Sequence, residues 1–440
     1  MKEGWELLES ALNDGKKIML IIDCDVDGFT SSAILYQYLK SAYAESNPQI
    51  DYFIHEHKEH GLSDAMKDHA ISGGDYGLVI LPDAGTNDYV HIEQLKEVGT
   101  KVLILDHHLK DDTTLISDNS IIINNQLSPR HENKDLTGAG VVWKFIKWND
   151  NRKNREVDYD FSDLAALGII SDMGSYLSLE NRAIIKRGLE NIKNYFFKCA
   201  CEKQAYSMNN KINYTTIAFY ITPMLNSMIR VGSQPEKERM FLAFVDGHRQ
   251  VPCNKRGAKG TFEEVAIESL RECTNTKARQ DKITTAAVEQ LGIKIFNNNL
   301  LDNKLLFVEL EDEDDFPQEV NGLVAMKLSA AYKRPTLVGR RGTDGKIKGS
   351  IRGISNTPMG SMRDFLLSSL LFEYVSGHDQ AAGHCIPAKK VDQLHEYANK
   401  ALKDIIFSED YYDVNFMRFA AETDLVDLIN EIGAVPEIWG

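Results

Sequence analysis

Residues 17–28, K-I-M-L-I-I-D-C-D-V-D-G, decide the fold of this chain. The first half is a continuous apolar run, which is typical of a buried strand in a parallel sheet. The second half places carboxylates at Asp23, Asp25 and Asp27. Residues two apart share a face of an extended backbone, so these carboxylates would point together. Like charges at that spacing repel unless a cation neutralises them, and the run therefore predicts a divalent-metal site.

Strand-like runs alternate with helical patterns through the first half of the chain. Apolar runs at 52–54, 78–81 and 102–105 are separated by segments such as 31–44 and 91–97 that can form helices. This alternation predicts an α/β fold with a parallel sheet covered by helices. In such sheets the ligand lies at the carboxyl ends of the strands, which is where we look for chemistry.

The remaining patterns predict a second, smaller α/β domain joined to the first by a helix. Mostly helical segments complete the first domain at 163–170, 180–197 and 216–228. In the second domain we expect a strand at 304–310, a helix at 319–332 and a strand pair at 336–338 and 345–352. The expected division is a first domain at 1–235, a connector and linker helix at 236–300, a second domain at 301–400 and an acidic segment at 401–440.

Potential metal ligands also follow the later apolar runs. Asp83 follows the run at 78–81, the triplet Asp106-His107-His108 follows the run at 102–105, and Asp172 follows the run at 167–170. We expect all these clusters to converge on one edge of the sheet. Carboxylates with imidazole suit Mn²⁺ or Mg²⁺. Two such ions can activate water and stabilise both oxygens of an in-line phosphoryl displacement.

Each of these pieces has an ordinary explanation when it is taken alone. A lone D-x-D-x-D is most often a turn or part of a calcium loop, but the rest of the EF-hand pattern is missing here. A lone Asp-His-His is more often a polar surface turn than a metal site. The conjunction of four clusters favours the metal site.

The triplet at 106–108, combined with D-C-D-V-D-G, resembles the DHH phosphoesterase family and specifically its RecJ-type exonuclease branch. Further segments resemble that branch in order, at 137–145, 180–182, 221–230, 318–328, 349–353 and 376–383. The resemblance implies a metal-dependent exonuclease that releases nucleotides from single-stranded DNA, in the 5′ to 3′ direction, in DNA repair and recombination.

The resemblance also implies the site residues and the cofactor. The metal ligands would be Asp23, Asp25, Asp27, Asp83, His107 and Asp172, with two Mn²⁺ or Mg²⁺ ions. The catalytic residues would be Asp83, Asp106 and His108, with His108 facing the scissile phosphate. Asp23 and Asp106 would either bind a metal or support a ligand. The substrate-binding residues would be Arg182, Arg230, Ser350, Arg352, Gly377 and His378.

The net charge argues at first sight against a nucleic-acid partner. The chain has 50 Lys and Arg against 65 Asp and Glu, a formal charge of -15, whereas non-specific nucleic-acid binding is driven by Lys and Arg. The charge is unevenly distributed, because eight Lys and Arg lie between 320 and 355 against Asp344 alone. We expect this basic patch to bind the strand. For Arg340 and Arg341 the alternative is an ordinary solvated hairpin.

Two smaller features have competing interpretations. The histidines at 55, 57 and 60 suggest a second metal site, but we prefer polar groups beside the substrate cleft. The aromatic residues at 411, 412 and 416, within the acidic segment, indicate a small packed cap rather than a base-stacking surface.

Partners and location are inferred more indirectly. In RecJ-type exonucleases a stretch like 424–440 leads into an oligonucleotide-binding barrel, which we do not expect here; either a separate single-strand-binding protein supplies affinity or the substrate is short. No apolar run approaches the roughly 18 residues that span a bilayer, so we expect a cytoplasmic protein without a membrane partner. The alternative functions are a phosphodiesterase of short oligoribonucleotides or cyclic dinucleotides, and a non-catalytic scaffold in a replication assembly.

Overall fold

The computed structural model describes residues 1–56, 59–155, 158–258, 260–311, 314–355 and 357–407. They form two compact units, the first of residues 1–277 and the second beginning at Ala278. Both units are α/β, as the sequence predicts.

The first unit is built on a five-stranded parallel sheet of order β2-β1-β3-β4-β5. The strands are β1 (Lys17–Ile22), β2 (Ile50–Ile54), β3 (Tyr76–Pro82), β4 (Lys101–Asp106) and β5 (Ser120–Asn124). A small antiparallel hairpin follows, made of β6 (Gln250–Pro252) and β7 (Phe262–Glu264).

Helices surround this sheet. They are α1 (Lys2–Asn13), α2 (Val26–Ala42), α3 (Asp64–Ser72), α4 (Tyr89–Glu97), α5 (Gly138–Lys153), α6 (Ser162–Ser171), α7 (Leu179–Glu190), α8 (Tyr195–Gln204), α9 (Tyr214–Thr216), α10 (Thr222–Val231) and α11 (Gln234–Val245). A π-helical turn, Ile217–Ile221, joins α9 to α10. The helix α12 (Val265–Asn297) crosses from the first unit into the second.

Both faces of the parallel sheet are buried, which explains why its strands are apolar without interruption. Alternate residues of β3, Leu78 and Ile80, pack with α1, α2 and α5. The residues between them, Val79 and Leu81, pack with α3 and α4 on the other face. This double burial fixes the strand ends, and so the positions of the residues that follow them.

Three features of the first unit differ from the prediction. Asp172 was expected at the edge of the sheet with the residues that follow strands, but it follows α6, which confirms the helix predicted at 163–170. The predicted helix 180–197 is interrupted before Asn194, whose side chain caps α8. The unit also extends beyond residue 235, because α11 packs on α2 with Phe241 in the common core.

The second unit has a mixed five-stranded sheet of order β11-β12-β10-β9-β8. Its strands are β8 (Leu306–Leu310), β9 (Thr336–Arg341), β10 (Lys346–Arg352), β11 (Tyr374–His378) and β12 (Ala381–Pro387), and its further helices are α13 (Asn321–Tyr332), α14 (Met362–Ser368) and α15 (Val391–Ala401). The predicted strand pair is confirmed, with Ser350 opposite Val338. Most of the predicted acidic segment, including the aromatic residues at 411, 412 and 416, lies outside the described residues.

Among the helices that the structure describes, none is both long enough and apolar enough to cross a bilayer.

Candidate metal centre

The centre begins at the carboxyl ends of three neighbouring strands. Asp23 comes directly after β1, Asp83 directly after β3, and Asp106 is the last residue of β4. Because these strands lie side by side in the order β1-β3-β4, their ends bring the three carboxylates to one edge of the sheet. This is the edge at which ligands bind in parallel α/β sheets.

Asp83 is the most constrained of these residues. It is fully buried, and its φ of 67° is in the left-handed region. Its amide donates to the Leu105 carbonyl at 2.7 Å, but neither carboxylate oxygen accepts a hydrogen bond from any residue within the described ranges. Burial, followed by the charges of Asp27 and Asp25, raises its pKa well above the usual range. A buried carboxylate without donors is a site that a cation would satisfy.

Potential ligand atoms form three overlapping groups around Asp83. Within each group the atoms lie no more than 4.8 Å apart; the groups are Asp23-Asp25-Asp83, Asp27-His107-Asp172 and Asp83-His107-His108. His107 links the groups, since its Nε2 lies 3.2 Å from Asp83 Oδ1 and 3.5 Å from Asp172 Oδ2. The structure thus brings all six predicted ligands together. Their number and chemistry fit two oxygen-preferring divalent ions.

Asp27 is held by the N-terminus of α5. Its Oδ2 accepts a hydrogen bond from the Gly138 amide at 2.7 Å, and its Oδ1 accepts from the Ala139 amide at 3.1 Å and the Thr137 hydroxyl at 3.0 Å. The positive end of the helix favours the carboxylate. Burial and the nearby charge of Asp25 nevertheless raise the pKa of Asp27 to about 7. The donors orient Asp27 but do not offset its desolvation.

Asp25 and Asp23 are oriented by local contacts. Asp25 is the N-cap of α2 and accepts a hydrogen bond from the Gly28 amide at 2.9 Å. Asp23 accepts from the Gly61 amide at 3.1 Å, and its other oxygen lies 2.7 Å from His60 Nδ1. Burial alone would raise the pKa of Asp23, but His60, His108 and the Gly61 amide together outweigh it and the pKa is lowered. Asp25 and Asp23 are therefore fixed before any metal binds.

Asp106 supports His108 rather than joining a ligand group. Its Oδ1 lies 2.8 Å from His108 Nδ1 and accepts from the His107 amide at 2.7 Å, while its Oδ2 accepts from the Thr86 amide at 3.0 Å. Burial opposes ionisation of Asp106, but His108 lowers its pKa below the usual range. Burial likewise opposes the charge on His108, but Asp106 raises its pKa to about 10. Asp106 was expected either to bind a metal or to support a ligand, and the geometry favours support of His108.

The two predicted arginines of the first unit have different surroundings. Arg230 lies on α10, where burial lowers its pKa and Asp25 acts in the opposite direction. Arg182 lies on α7 and donates from Nε to the Tyr176 carbonyl at 3.2 Å, with its guanidinium 5.5 Å from the centroid of the Tyr176 ring. Arg182 therefore contacts the loop that follows Asp172.

The predicted substrate-binding residues of the second unit lie on two strands of one sheet. On β10, Ile347 and Ile351 are buried in the core, so Ser350 and Arg352 alternate onto the other face. A Cβ atom added to Gly322, near the start of α13, would lie 2.7 Å from Arg352 Nη2. Arg352 is therefore beside the N-terminus of that helix, which itself favours anions.

Gly377, one of the predicted substrate-binding residues, has a backbone conformation that requires glycine. Gly377 on β11 has a φ of 134°, and a Cβ there would lie 2.8 Å from the Ala381 carbonyl oxygen. His378 is the next residue and lies opposite Ala381 on β12. The two residues are exposed.

For Arg340 and Arg341 the structure favours the ordinary hairpin. Arg340 donates to the backbone carbonyls of Glu311 and Asp314, and Arg341 pairs with Glu309 at 2.5 Å. Both side chains are therefore engaged within their own unit.

The comparisons with known proteins place the chain in a family. A model described as the DHH family, N-terminal domain, matches residues 17–169. Over 438 residues the chain is 36% identical to a putative SPbeta prophage-derived single-strand DNA-specific exonuclease, YorK, of Bacillus subtilis strain 168, covering 98% of this chain and 73% of that protein. The chain therefore belongs to the DHH family.

Within that family its relatives are single-strand-specific exonucleases of the RecJ type. It is 26% identical over 444 residues to the single-stranded-DNA-specific exonuclease RecJ of Thermus thermophilus, spanning all of this chain and 58% of that protein. The crystal structure of RecJ from Thermus thermophilus in complex with Mn²⁺ has the same fold, with a TM-score of 0.73 and 22% identity, over 98% of this chain and 58% of that one.

Sequence reasoning missed several supporting residues. His60 was expected beside the substrate, but it contacts Asp23; His57 lies outside the described residues. Asn124, at the end of β5, donates to the Thr86 hydroxyl and the His108 carbonyl, both at 2.9 Å. These contacts join residues 16 to 38 positions apart. A signal was available only for Asn124, which ends an apolar run like the other site residues.

Proposed function

We propose that this chain is a two-metal-dependent phosphodiesterase that removes nucleotides from single-stranded DNA, starting at the 5′ end. The observation that carries the proposal is Asp83, a buried carboxylate that accepts no hydrogen bond from the part of the chain the structure describes and that belongs to two ligand groups. The names of its relatives support the substrate, since YorK and RecJ are described as single-strand DNA-specific exonucleases.

The residues divide between two ions. Asp23, Asp25 and Asp83 would hold one, and Asp27, His107 and Asp172 would hold the other, and Asp83 also lies 3.2 Å from His107 Nε2. Mn²⁺ and Mg²⁺ are the candidates, and RecJ structures from Thermus thermophilus were solved with each. When bound, such a pair supplies an activated water and neutralises the charge of a transferring phosphoryl group.

The chain's own groups position the phosphate. His108 is 43% exposed, with Nδ1 directed to Asp106 and Nε2 left to donate to a phosphate oxygen. A charged donor fixed in advance stabilises the charge that develops in the transition state. Asp106 holds the ring in place, and Thr86 and the His107 amide hold Asp106.

The second unit would bind the strand itself. Arg352 beside the α13 N-terminus, together with Ser350 and the exposed Gly377 and His378, forms a set of donors suited to a phosphate group. Arg182 and Arg230 would contact the strand from the first unit. A single-strand-binding protein remains the proposed partner, and the cytoplasm the proposed location.

The test uses the purified chain with Mn²⁺ and a panel of labelled substrates: single-stranded DNA labelled at either end, the matching duplex, and a two-nucleotide RNA. We expect nucleotides to be released from the 5′ end of single-stranded DNA, and the duplex to persist. The Asp83→Asn variant should lose at least about 10³-fold in rate, because it removes a shared ligand.

The outcomes separate the alternatives. Hydrolysis of the dinucleotide but not of long DNA would favour the short-RNA phosphodiesterase. Equal products from the parent and Asp83→Asn would point to a contaminating nuclease and count against the proposal. A chain that binds DNA and leaves every substrate intact with Mn²⁺ would instead be the non-catalytic scaffold.

A further inference from the structure

Exposed apolar side chains lie in the two loops that carry His108 and Asp172. We name four of them the apolar rim: Leu109, Met173, Leu177 and Leu179, which are 61%, 73%, 76% and 77% exposed. Exposed apolar side chains that form one surface are characteristic of binding sites.

The rim adjoins the ligands directly. Leu109 follows His108, and Met173 follows Asp172. The loops that carry them meet at the centre, because His107 Nε2 lies 3.5 Å from Asp172 Oδ2. A strand whose phosphate lies at the metals would therefore lie beside Leu109 and Met173.

The loop that carries most of the rim has a backbone fixed by hydrogen bonds. The Gly174 amide donates to the Ile169 carbonyl at 2.8 Å, and the buried Asn181 side chain donates to the Ser175 carbonyl at 3.1 Å. Arg182 donates to the Tyr176 carbonyl in the same loop. Since hydrogen bonds hold the backbone at successive residues, the folded loop itself keeps these apolar side chains exposed.

Met173 adds an independent observation. Its φ of 58° lies in the left-handed region, which an unbranched L-residue rarely adopts. Such a conformation persists where the surrounding structure imposes it, and it is concentrated at binding and catalytic sites. Here it turns a 73% exposed thioether away from the core directly beside a ligand.

The charge of the chain indicates what the rim binds. A DNA strand presents anionic phosphates and neutral bases, and this chain has a formal charge of -15 with six Asp and His ligands in the centre. An apolar surface attracts no phosphate, but it can pack against the face of a base whatever its identity. In a duplex those faces are stacked on one another and are not accessible.

We propose that the apolar rim holds the unpaired bases of the nucleotides next to the scissile phosphate. The inference rests on the proposed function. It adds that the first unit recognises the bases of the strand. Contact with base faces gives preference for single strands without preference for sequence.

The test compares two strands of equal length and identical phosphates, one with thymine bases and one abasic near the cleaved end. For each protein we measure the ratio of KM for the abasic strand to KM for the thymine strand. This ratio cancels any loss of folded enzyme. The parent should give a ratio of about ten, and the combined Leu177→Ser, Leu179→Ser variant a ratio near one.

The matched control changes two exposed apolar residues of the same unit away from the centre. Val90 and Val98 are 65% and 51% exposed, at the two ends of α4, and the combined Val90→Ser, Val98→Ser variant should keep the parent ratio. If the Leu177→Ser, Leu179→Ser variant also keeps the parent ratio, the inference is overturned while the proposed function stands. This result is expected if the rim docks another protein. A parent that cleaves neither strand overturns the proposed function and the inference with it.

Discussion

Asp106 and Asp83 show how two neighbouring carboxylates acquire opposite electrostatic properties. Both are fully buried, but Asp106 accepts hydrogen bonds at both oxygens, whereas Asp83 accepts none from the residues described. The pKa of Asp106 is accordingly lowered and that of Asp83 raised. Since burial is common to both, the neighbouring charges and donors separate a carboxylate that orients a histidine from one that would bind a cation.

Substitution of Asp106 tests this division. We expect Asp106→Asn to retain both metal ions while kcat falls by about 10²-fold, because His108 loses the charge that orients it. Metal content by elemental analysis and steady-state kinetics check both parts. Loss of a metal ion from Asp106→Asn would show instead that Asp106 is a ligand. The Asp83→Asn variant, in which a proposed ligand is changed, shows how large such a loss of metal should be.

At the scale of elements, helices hold the centre as much as strands do. The N-terminus of α5 supplies the donors to Asp27, and α6 ends at Asp172. These helices approach closely because α6 has a glycine at 168; a Cβ there would be 2.4 Å from both Asp27 Oδ1 and Ala139 Cβ. The absence of a side chain at this position is a requirement of the metal centre.

Gly168→Ala tests that requirement. Alanine normally stabilises a helix interior relative to glycine by about 0.5–1 kcal/mol, but here overpacking should destabilise the chain by about 1–3 kcal/mol. Thermal and urea unfolding measure the difference. The control is Gly292→Ala in α12, where the added Cβ would contact only the Tyr332 hydroxyl, at 3.2 Å. A Gly168→Ala variant as stable as the parent would contradict the close approach.

In the second unit, β12 carries a buried imidazole that makes stability depend on pH. Neither ring nitrogen of His384 has a hydrogen-bond partner among the residues described, and Phe307 and Phe372 lie edge-on to the ring. Burial lowers its pKa to about 4.

In the unfolded chain the His384 imidazole becomes protonated near pH 6.5, whereas in the fold it stays neutral down to about pH 4. The fold therefore has its full stability above pH 6.5, where the imidazole is neutral in both states. This stability should decrease as the pH falls towards 4, by about 3 kcal/mol. Urea unfolding of the parent and of His384→Leu across this range measures the effect. A parent whose dependence matches that of His384→Leu would contradict it.

At the scale of the whole molecule, the metal centre links stability to pH in the opposite direction. The raised pKa values of Asp27, to about 7, and of Asp83 and Asp172 mean that the metal-free fold favours protons at these groups. Relative to the unfolded chain, the metal-free fold should lose stability as the pH rises from about 4 through 7. Metal binding displaces these protons, so affinity rises over the same range.

The difference in Tm between Mn²⁺-bound and chelator-treated chain isolates this effect, because the contribution of His384 is common to both states. We expect the difference to widen as the pH rises from 5 to 7.5. The Asp83→Asn variant should show a smaller difference at every pH. A difference that stays constant for the parent would mean that the carboxylates do not exchange protons for metal.

Much of the first unit could be predicted from local patterns. The apolar runs of β1, β3 and β4 are unambiguous because both faces of the sheet are buried, and the polar residues after them indicate the edge. The strands β5, β11 and β12 were not predicted. The helix predicted at 163–170 is confirmed, but Asp172 was grouped with the residues that follow strands, because a short buried helix and a buried strand are equally apolar.

The sequence by itself determined the α/β class, the family resemblance and the six residues that gather at the centre, since these depend on residue type and on spacing along the chain. Only the tertiary structure decided that Asp106 supports His108, that His60 contacts Asp23 and that Arg341 pairs with Glu309. The reason is physical: a carboxylate's role depends on the donors that surround it, and here many of those donors come from distant parts of the chain.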